Sequence, residues 1–153
     1  MAFEEIINCT NLLYRQRGLA LVQKIPTNWL PIRDRCGQIV SAKVEHKSGV
    51  DYMGVWEHGA IAFEAKSTLN KKRWSLNNLK QEQLQFLRDH SLVNANARQF
   101  VLLAFLSLNK CFLLDLDFIE NRWDEWKKGG RGSLSVSELK NMPSLPIDYP
   151  LDY

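Results

Sequence analysis

Apolar residues recur at two different periods along this chain, and the changes of period divide it into elements. Phe3, Ile6, Ile7, Thr10, Leu13 and Tyr14 fall at helical spacing and predict a first helix with one buried stripe, ended by Gly18. Glu4, Asn8 and Asn11, at i, i+4 and i+7, form a polar strip along the edge of that stripe, while Glu5 points further toward solvent. Residues 20–25 read as a strand stopped by Pro26. Residues 27–48 are broken by Pro31 and Gly37; within them residues 38–45 look like another strand, and Arg33, Arg35, Lys43 and Lys47 would make the segment a projecting basic arm or stalk. Residues 50–68 read as two short strands joined by a tight turn at His58-Gly59. Residues 75–90 predict a second helix with apolar Leu76, Leu79, Phe86 and Leu87, and Gln83 falls in the middle of that stripe, where a polar side chain needs a partner. Residues 100–106 and 111–114 read as core strands joined by a turn at Leu108-Asn109-Lys110, followed by an amphipathic helix over 118–126. Ser135-x-x-Glu138 is a capping box for a last short helix, and the remainder, with Pro143, Pro146 and Pro150, is extended. The order of elements describes an α/β fold: a mixed central β-sheet flanked by helices, in a single domain over residues 1–153.

The hairpin at 50–68 carries the densest chemistry. With a two-residue turn at His58-Gly59, Glu57 faces Ala60, Val55 faces Ala62, Met53 faces Glu64 and Asp51 faces Lys66. Alternation then puts Asp51, Met53, Val55, Ala62, Glu64 and Lys66 on one face, so three charges converge on one end of it. Asp51 and Glu64 become diagonal neighbours with Cα atoms roughly 7–8 Å apart. Two carboxylates that close can hold one hard cation between them, and Lys66 places an ammonium beside it. A hairpin with a charged, solvated outer face is the plainer alternative. Against it, Met53, Val55 and Ala62 on the charged face are apolar, as are Ile61, Phe63 and Ala65 on the other, so neither face is built for water.

Composition changes this picture little. At 153 residues, 45% hydrophobic and 24% charged, the chain is an ordinary globular domain large enough for a proper core. Its longest apolar run, 100–106, is far short of the about 20 residues that span a bilayer, so no membrane association is expected. The start, MAFEEII, lacks a basic n-region and is not a secretory signal. Cys9, Cys36 and Cys111 are widely spaced with no CxxC, which suggests neither a disulfide framework nor a zinc site and fits a reducing, cytoplasmic setting. No spacing supports Ser-His-Asp or Cys-His catalysis. The net charge of +3 hints at an anionic partner, but its distribution says more. Lys71, Lys72 and Arg73 beside Trp74, and Lys127, Lys128 and Arg131 around Gly129 and Gly130, suit phosphate contacts, with solvated loops as the alternative.

The chain resembles the RecU-type Holliday junction resolvases, a branch of the PD-(D/E)xK nuclease superfamily. The likeness rests on FEEIINCTNLLY, VQKIPT, DYMGVWEHGAIAFEAKSTLNKKRWSLNNLKQEQ, GGRGSLSVSEL and the closing LDY, and its most specific part is Asp51, then Glu64-Ala65-Lys66, then Gln83. The resemblance implies a restriction-endonuclease-like fold and a homodimer that binds four-way junction DNA and cuts two opposed strands with Mg²⁺, for which Mn²⁺ would substitute, and with no organic cofactor. It places Asp51, Glu64, the Ala65 carbonyl and Gln83 around the metal. Lys66 would stabilise charge on the phosphate, Glu4 would complete the catalytic set from the first helix, and the arm at 27–48 would be the stalk that enters the junction. Departures from the family pattern are Val50 where the family has Thr, a stalk shorter by a few residues, no basic N-terminal tail before the first helix, and an end that precedes the finish of the family's last helix. Another nuclease of the same fold, of restriction or nicking type, and a catalytically silent DNA-binding protein are the competing readings; the complete Asp51, Glu64 and Lys66 set speaks against the latter.

Overall fold

The computed structural model describes residues 2–45, 49–93 and 95–153. Lys47, counted above in the basic arm, lies outside the described residues. The first helix, α1, covers Phe3–Gln16 and buries Phe3, Ile6, Ile7, Thr10 and Asn11, close to the expected stripe. Gly18 follows it at φ 68°, a left-handed conformation that suits the end of a helix. Strand β1 covers Ala20–Lys24. β2 (Trp29–Arg33) and β3 (Ile39–Val44) pair as an antiparallel ribbon of their own. β2 was not read from the sequence because Pro31 interrupts it, yet a two-stranded ribbon has free edges on which proline is tolerated.

β4 (Tyr52–Trp56) and β5 (Gly59–Thr68) form the expected hairpin, with one correction. The turn is Glu57-His58, and Trp56 faces Gly59, Val55 faces Ala60 and Met53 faces Ala62. The register is displaced by two residues from the expected one. Because side chains alternate with period two, that displacement leaves every residue on its expected face. It moves Asp51 from a diagonal position to one directly opposite Glu64, when the register is continued by one residue.

Ser75 does not start the second helix. Arg73–Ser75 is a short strand, β6, followed by a turn of 3-10 helix at Leu76–Asn78, and α2 covers Gln81–Val93. β6 pairs with β9 (Ser133–Ser135), a contact between segments 60 residues apart that no local pattern announces. β7 (Arg98–Phe105) and β8 (Lys110–Asp115) are the core strands, and Asn109 turns between them with φ 49°. α3 covers Leu116–Lys127, its first turn capped by the Asp115 carboxylate, which accepts from Phe118 N at 2.8 Å. The Ser135/Glu138 box forms reciprocally, Ser135 N to Glu138 Oε2 at 2.8 Å and Glu138 N to Ser135 Oγ at 3.2 Å, but Ser135 stands two residues before Ser137, the N-cap of a 3-10 turn, Glu138–Asn141, and the expected helix does not form. β10 covers Ser144–Pro146.

The main sheet has six strands in the order β1-β4-β5-β7-β8-β10, parallel only between β5 and β7, hence mixed. Two apolar clusters fill its two faces. One joins α1 to Val22, Tyr52, Phe63, Phe100, Leu102 and Leu151. The other joins α2 and α3 to Val50, Ala62, Val101, Leu103, Phe112 and Leu134. The C-terminal segment closes the first layer, with Leu151 N donating to Thr10 Oγ1 at 2.9 Å and Tyr153 OH donating to Asn11 Oδ1. The result is an α/β fold of nuclease-like architecture with the β4–β5 hairpin inside its main sheet.

Candidate active site

The site face of β4 and β5 is the one turned toward α2. Glu64 lies there with 1% of its surface exposed. A buried carboxylate needs partners on every side, and Glu64 has three. Its Oε2 accepts from Asp51 N at 3.0 Å. Its Oε1 accepts from Gln83 Nε2 at 2.5 Å and sits 2.6 Å from Lys66 Nζ. Asp51 stands across from it and is itself held by Ala65 N, which donates to Oδ2 at 3.1 Å. N–H and C=O of one strand residue leave the strand on the same side, so the Ala65 carbonyl faces the same way as its N–H, toward Asp51.

Burial first, and then the charge of Asp51, push the Glu64 carboxyl up to about 7, while Lys66 pulls in the opposite direction. One ammonium therefore does not compensate two carboxylates in this position. Among the described residues, no three His, Cys, Asp or Glu side chains cluster as a metal site. The donors on offer are two carboxylates and a backbone carbonyl, all hard oxygen atoms, with an excess of negative charge at Glu64. That set fits a hard divalent cation and does not fit zinc.

Gln83 meets the expectation that its helix would aim it at the sheet. Lys80 N donates to its Oε1 at 2.9 Å, which fixes the amide with its nitrogen toward Glu64. Glu4 stands apart from this cluster. It is exposed and forms an ion pair with Lys24 of β1. Burial, then Glu4, then Asp51 raise the pKa of Tyr52, so both carboxylates lie within electrostatic reach of that phenol. Glu5 accepts from Ala2 N at 2.8 Å and belongs to the helix start. Nothing in a five-residue strand marks Lys24 as the partner of a helix carboxylate, so the sequence pattern does not single it out.

The pairing of β6 with β9 brings the two basic segments of the body together. Val136 N donates to Lys72 O at 2.9 Å and Leu76 N to Gly132 O at 3.0 Å, so Lys71, Lys72 and Arg73 lie beside the strand that Arg131 leads into. Lys127 is partly engaged, its ammonium 4.1 Å from the Trp126 ring. Trp74 is not the exposed aromatic plane that its neighbours suggested: it is 2% exposed and packs in the core with Leu134. Arg33, Arg35 and Lys43 lie on the β2–β3 ribbon and its tip, all exposed. Val50 is buried in the cluster beneath α2, which suits an apolar residue there.

A family model described as RecU, Recombination protein U, matches residues 1–152. The chain belongs to the RecU family. Relatives described as Holliday junction resolvase RecU include those of Geobacillus thermodenitrificans (34% identical, all of this chain, 79% of the relative) and Geobacillus kaustophilus (32%, all of this chain, 80% of the relative). That of Pediococcus pentosaceus is 31% identical over all of this chain and 75% of the relative. Membership in the RecU family covers the site elements α1, β4, β5 and α2 together. No helix among the described residues is long and apolar enough to cross a membrane.

Proposed function

We propose that this chain is a structure-selective endodeoxyribonuclease that resolves four-way DNA junctions, hydrolysing two opposed strands with Mg²⁺ as its cation. The observation that carries this reading is the convergence of Asp51, Glu64 and Lys66 on one end of one sheet face in a chain of the RecU family. Asp51, Glu64 and the Ala65 carbonyl would hold the cation, and Gln83 would join them only with its amide turned over, since its Oε1 accepts from Lys80 N and its Nε2 faces Glu64. A divalent cation held there would supply positive charge for the nonbridging phosphate oxygens and lower the pKa of the attacking water. Lys66 spends one donor on Glu64 and has N–H groups left for a phosphate oxygen on which charge develops. Gln83 fixes Glu64 from α2, and Glu4, which pairs with Lys24 outside the cluster, would complete the catalytic set from α1.

Substrate binding falls to two basic regions in this reading, the body patch of Lys71, Lys72, Arg73, Lys127, Lys128 and Arg131 and the ribbon with Arg33, Arg35 and Lys43. Paired cuts call for two sites, and a two-fold homodimer is the commonest way to supply them. The exposed Leu21 and Val55, cross-strand partners on the open edge of the site face, are consistent with such an interface. The setting is the cytoplasm, where the DNA substrate lies, and residues 1–153 act as one nuclease domain.

The test is cleavage of a synthetic four-way junction labelled on each strand in turn, beside linear duplex and flap DNA. Symmetrical cuts in opposed strands that need Mg²⁺ and stop in chelator are expected. Equal cutting of linear duplex would make this a nuclease of another preference, and junction binding without cutting under any divalent cation would make it a silent binder.

A further inference from the structure

Tyr52 is completely buried, stacked on Phe63 with ring centroids 4.8 Å apart, and its hydroxyl donates to Asn8 Oδ1 at 3.1 Å. A phenol in an apolar layer usually finds a partner, so this bond has an ordinary structural reason. Its position gives it a second consequence. Tyr52 follows Asp51 in the chain. Its cross-strand partner is Lys24, the residue whose ammonium pairs with Glu4. Asn8 lies one helical turn beyond Glu4 on the same strip of α1. The Asn8–Tyr52 bond thus ties the Glu4 side of α1 to the strand that carries Asp51, with Lys24 as the second tie.

The two ties are unequal. Lys24 and Glu4 are half-exposed, and an exposed ion pair does little to fix a geometry. The phenol–amide bond has an exposed partner in Asn8, but its other partner is the completely buried Tyr52 ring, stacked on Phe63. We infer that Tyr52 and Asn8 are positioning residues that set where Glu4 stands relative to Asp51 and Glu64. Neither touches the reacting atoms, and the inference rests on the role given to Glu4 under the proposed function.

The experiment compares Tyr52→Phe, Asn8→Ala, their double variant and Glu4→Gln on a four-way junction under single-turnover conditions across a Mg²⁺ titration. Tyr52→Phe keeps the stacked ring and removes one hydroxyl. Each single variant should fold, bind the junction as the parent does, cut roughly tenfold more slowly and need more Mg²⁺ for half-activity. The double variant should lose no more than either single one, because both break the same bond. Losses that multiply in the double variant, or a lowered melting temperature with an unchanged Mg²⁺ requirement, would leave the pair with a structural role only and overturn the inference. A slow Glu4→Gln beside a Tyr52→Phe and Asn8→Ala that cut normally would sink this inference alone. A Glu4→Gln that cuts normally would sink the role of Glu4, and the inference with it.

Discussion

Two antiparallel ribbons in this molecule are built alike and placed in opposite surroundings. β4–β5 lies inside the main sheet, with Tyr52 and the run Ile61 to Glu64 buried. In β2–β3 every residue is exposed, including Trp29 at 60% and Val40 at 62%. The first ribbon is held by a core on both faces. The second holds itself, through its ladder and its tip, where Asp34 Oδ1 accepts from Cys36 N at 2.8 Å and Gln38 N at 2.9 Å and Arg33 Nη1 donates to Gly37 O at 2.8 Å. An isolated two-stranded hairpin is marginal in water. The difference separates two jobs. Chemistry that depends on fractions of an ångström sits where packing decides geometry, and apolar side chains with no core of their own sit where a partner would have to cover them.

The strongest way to probe the rigid ribbon is Asp51→Asn. It removes one charge of the proposed ligand set while keeping an acceptor for Ala65 N. Cleavage should vanish and junction binding should persist, since one charge that repels phosphate is gone; normal cutting would mean the site is misassigned. Lys66→Ala comes next. It should fold, retain junction binding and cut at least ~10²-fold more slowly. Cutting at the parent rate would remove Lys66 from the mechanism.

The exposed ribbon should behave in the reverse manner. Replacing residues 29–44 by a short Gly-Ser link removes Arg33, Arg35 and Lys43 but no buried side chain. Junction affinity should fall about tenfold or more, with the melting temperature nearly unchanged. A large drop in melting temperature would show that the ribbon is part of the core after all.

The buried carboxylate provides a test by pH. Glu64 has an ordinary value of 4.5 and is raised to about 7 in the folded chain. Between these values the folded protein binds more protons than the unfolded one, so this contribution is complete below 4.5 and is lost as pH rises through about 7. In chelator, the parent should therefore melt lower at pH 8 than at pH 5 by an amount that Glu64→Gln lacks. The same slope in both proteins would mean that Glu64 is ionised without penalty.

How much of this could be read from the chain depended on whether the information was local. The faces of β4 and β5 were legible because alternation alone sets them. Their register was not, because one residue of turn at either end, Glu57-His58 against His58-Gly59, has similar local chemistry and only tertiary packing chooses. Gln83 was legible as a polar intruder in an apolar stripe. The start of α2 was not, because Leu76 and Leu79 continue that stripe while lying in the 3-10 segment, at its start and just beyond its end, under the β6–β9 pairing. Trp74 looked like a surface aromatic for the same reason: its partner Leu134 is 60 positions away. Lys24 beside Glu4 is a contact between a strand and a helix that neither element's pattern specifies.

The smallest effect expected is also the one that maps where the two regions meet DNA. Each lysine or arginine that neutralises a phosphate releases counterions, and removing one such contact should lower the salt slope of binding by about one unit. The body patch provides an internal contrast. Lys127 and Lys128 are neighbours, but the Lys127 ammonium lies over Trp126 and within 5.0 Å of the Trp123 ring centre. A charge already placed against two aromatic faces is less free to follow a phosphate, and its removal also strips packing from those rings. Lys128→Gln should therefore reduce the slope by close to the full unit and leave the melting temperature alone, whereas Lys127→Gln should change the slope less and lower the melting temperature. Arg35→Gln on the exposed ribbon should resemble Lys128→Gln. If the slope is unchanged in all three variants, neither the body patch nor the ribbon faces the DNA backbone, and the division of labour between them must be redrawn.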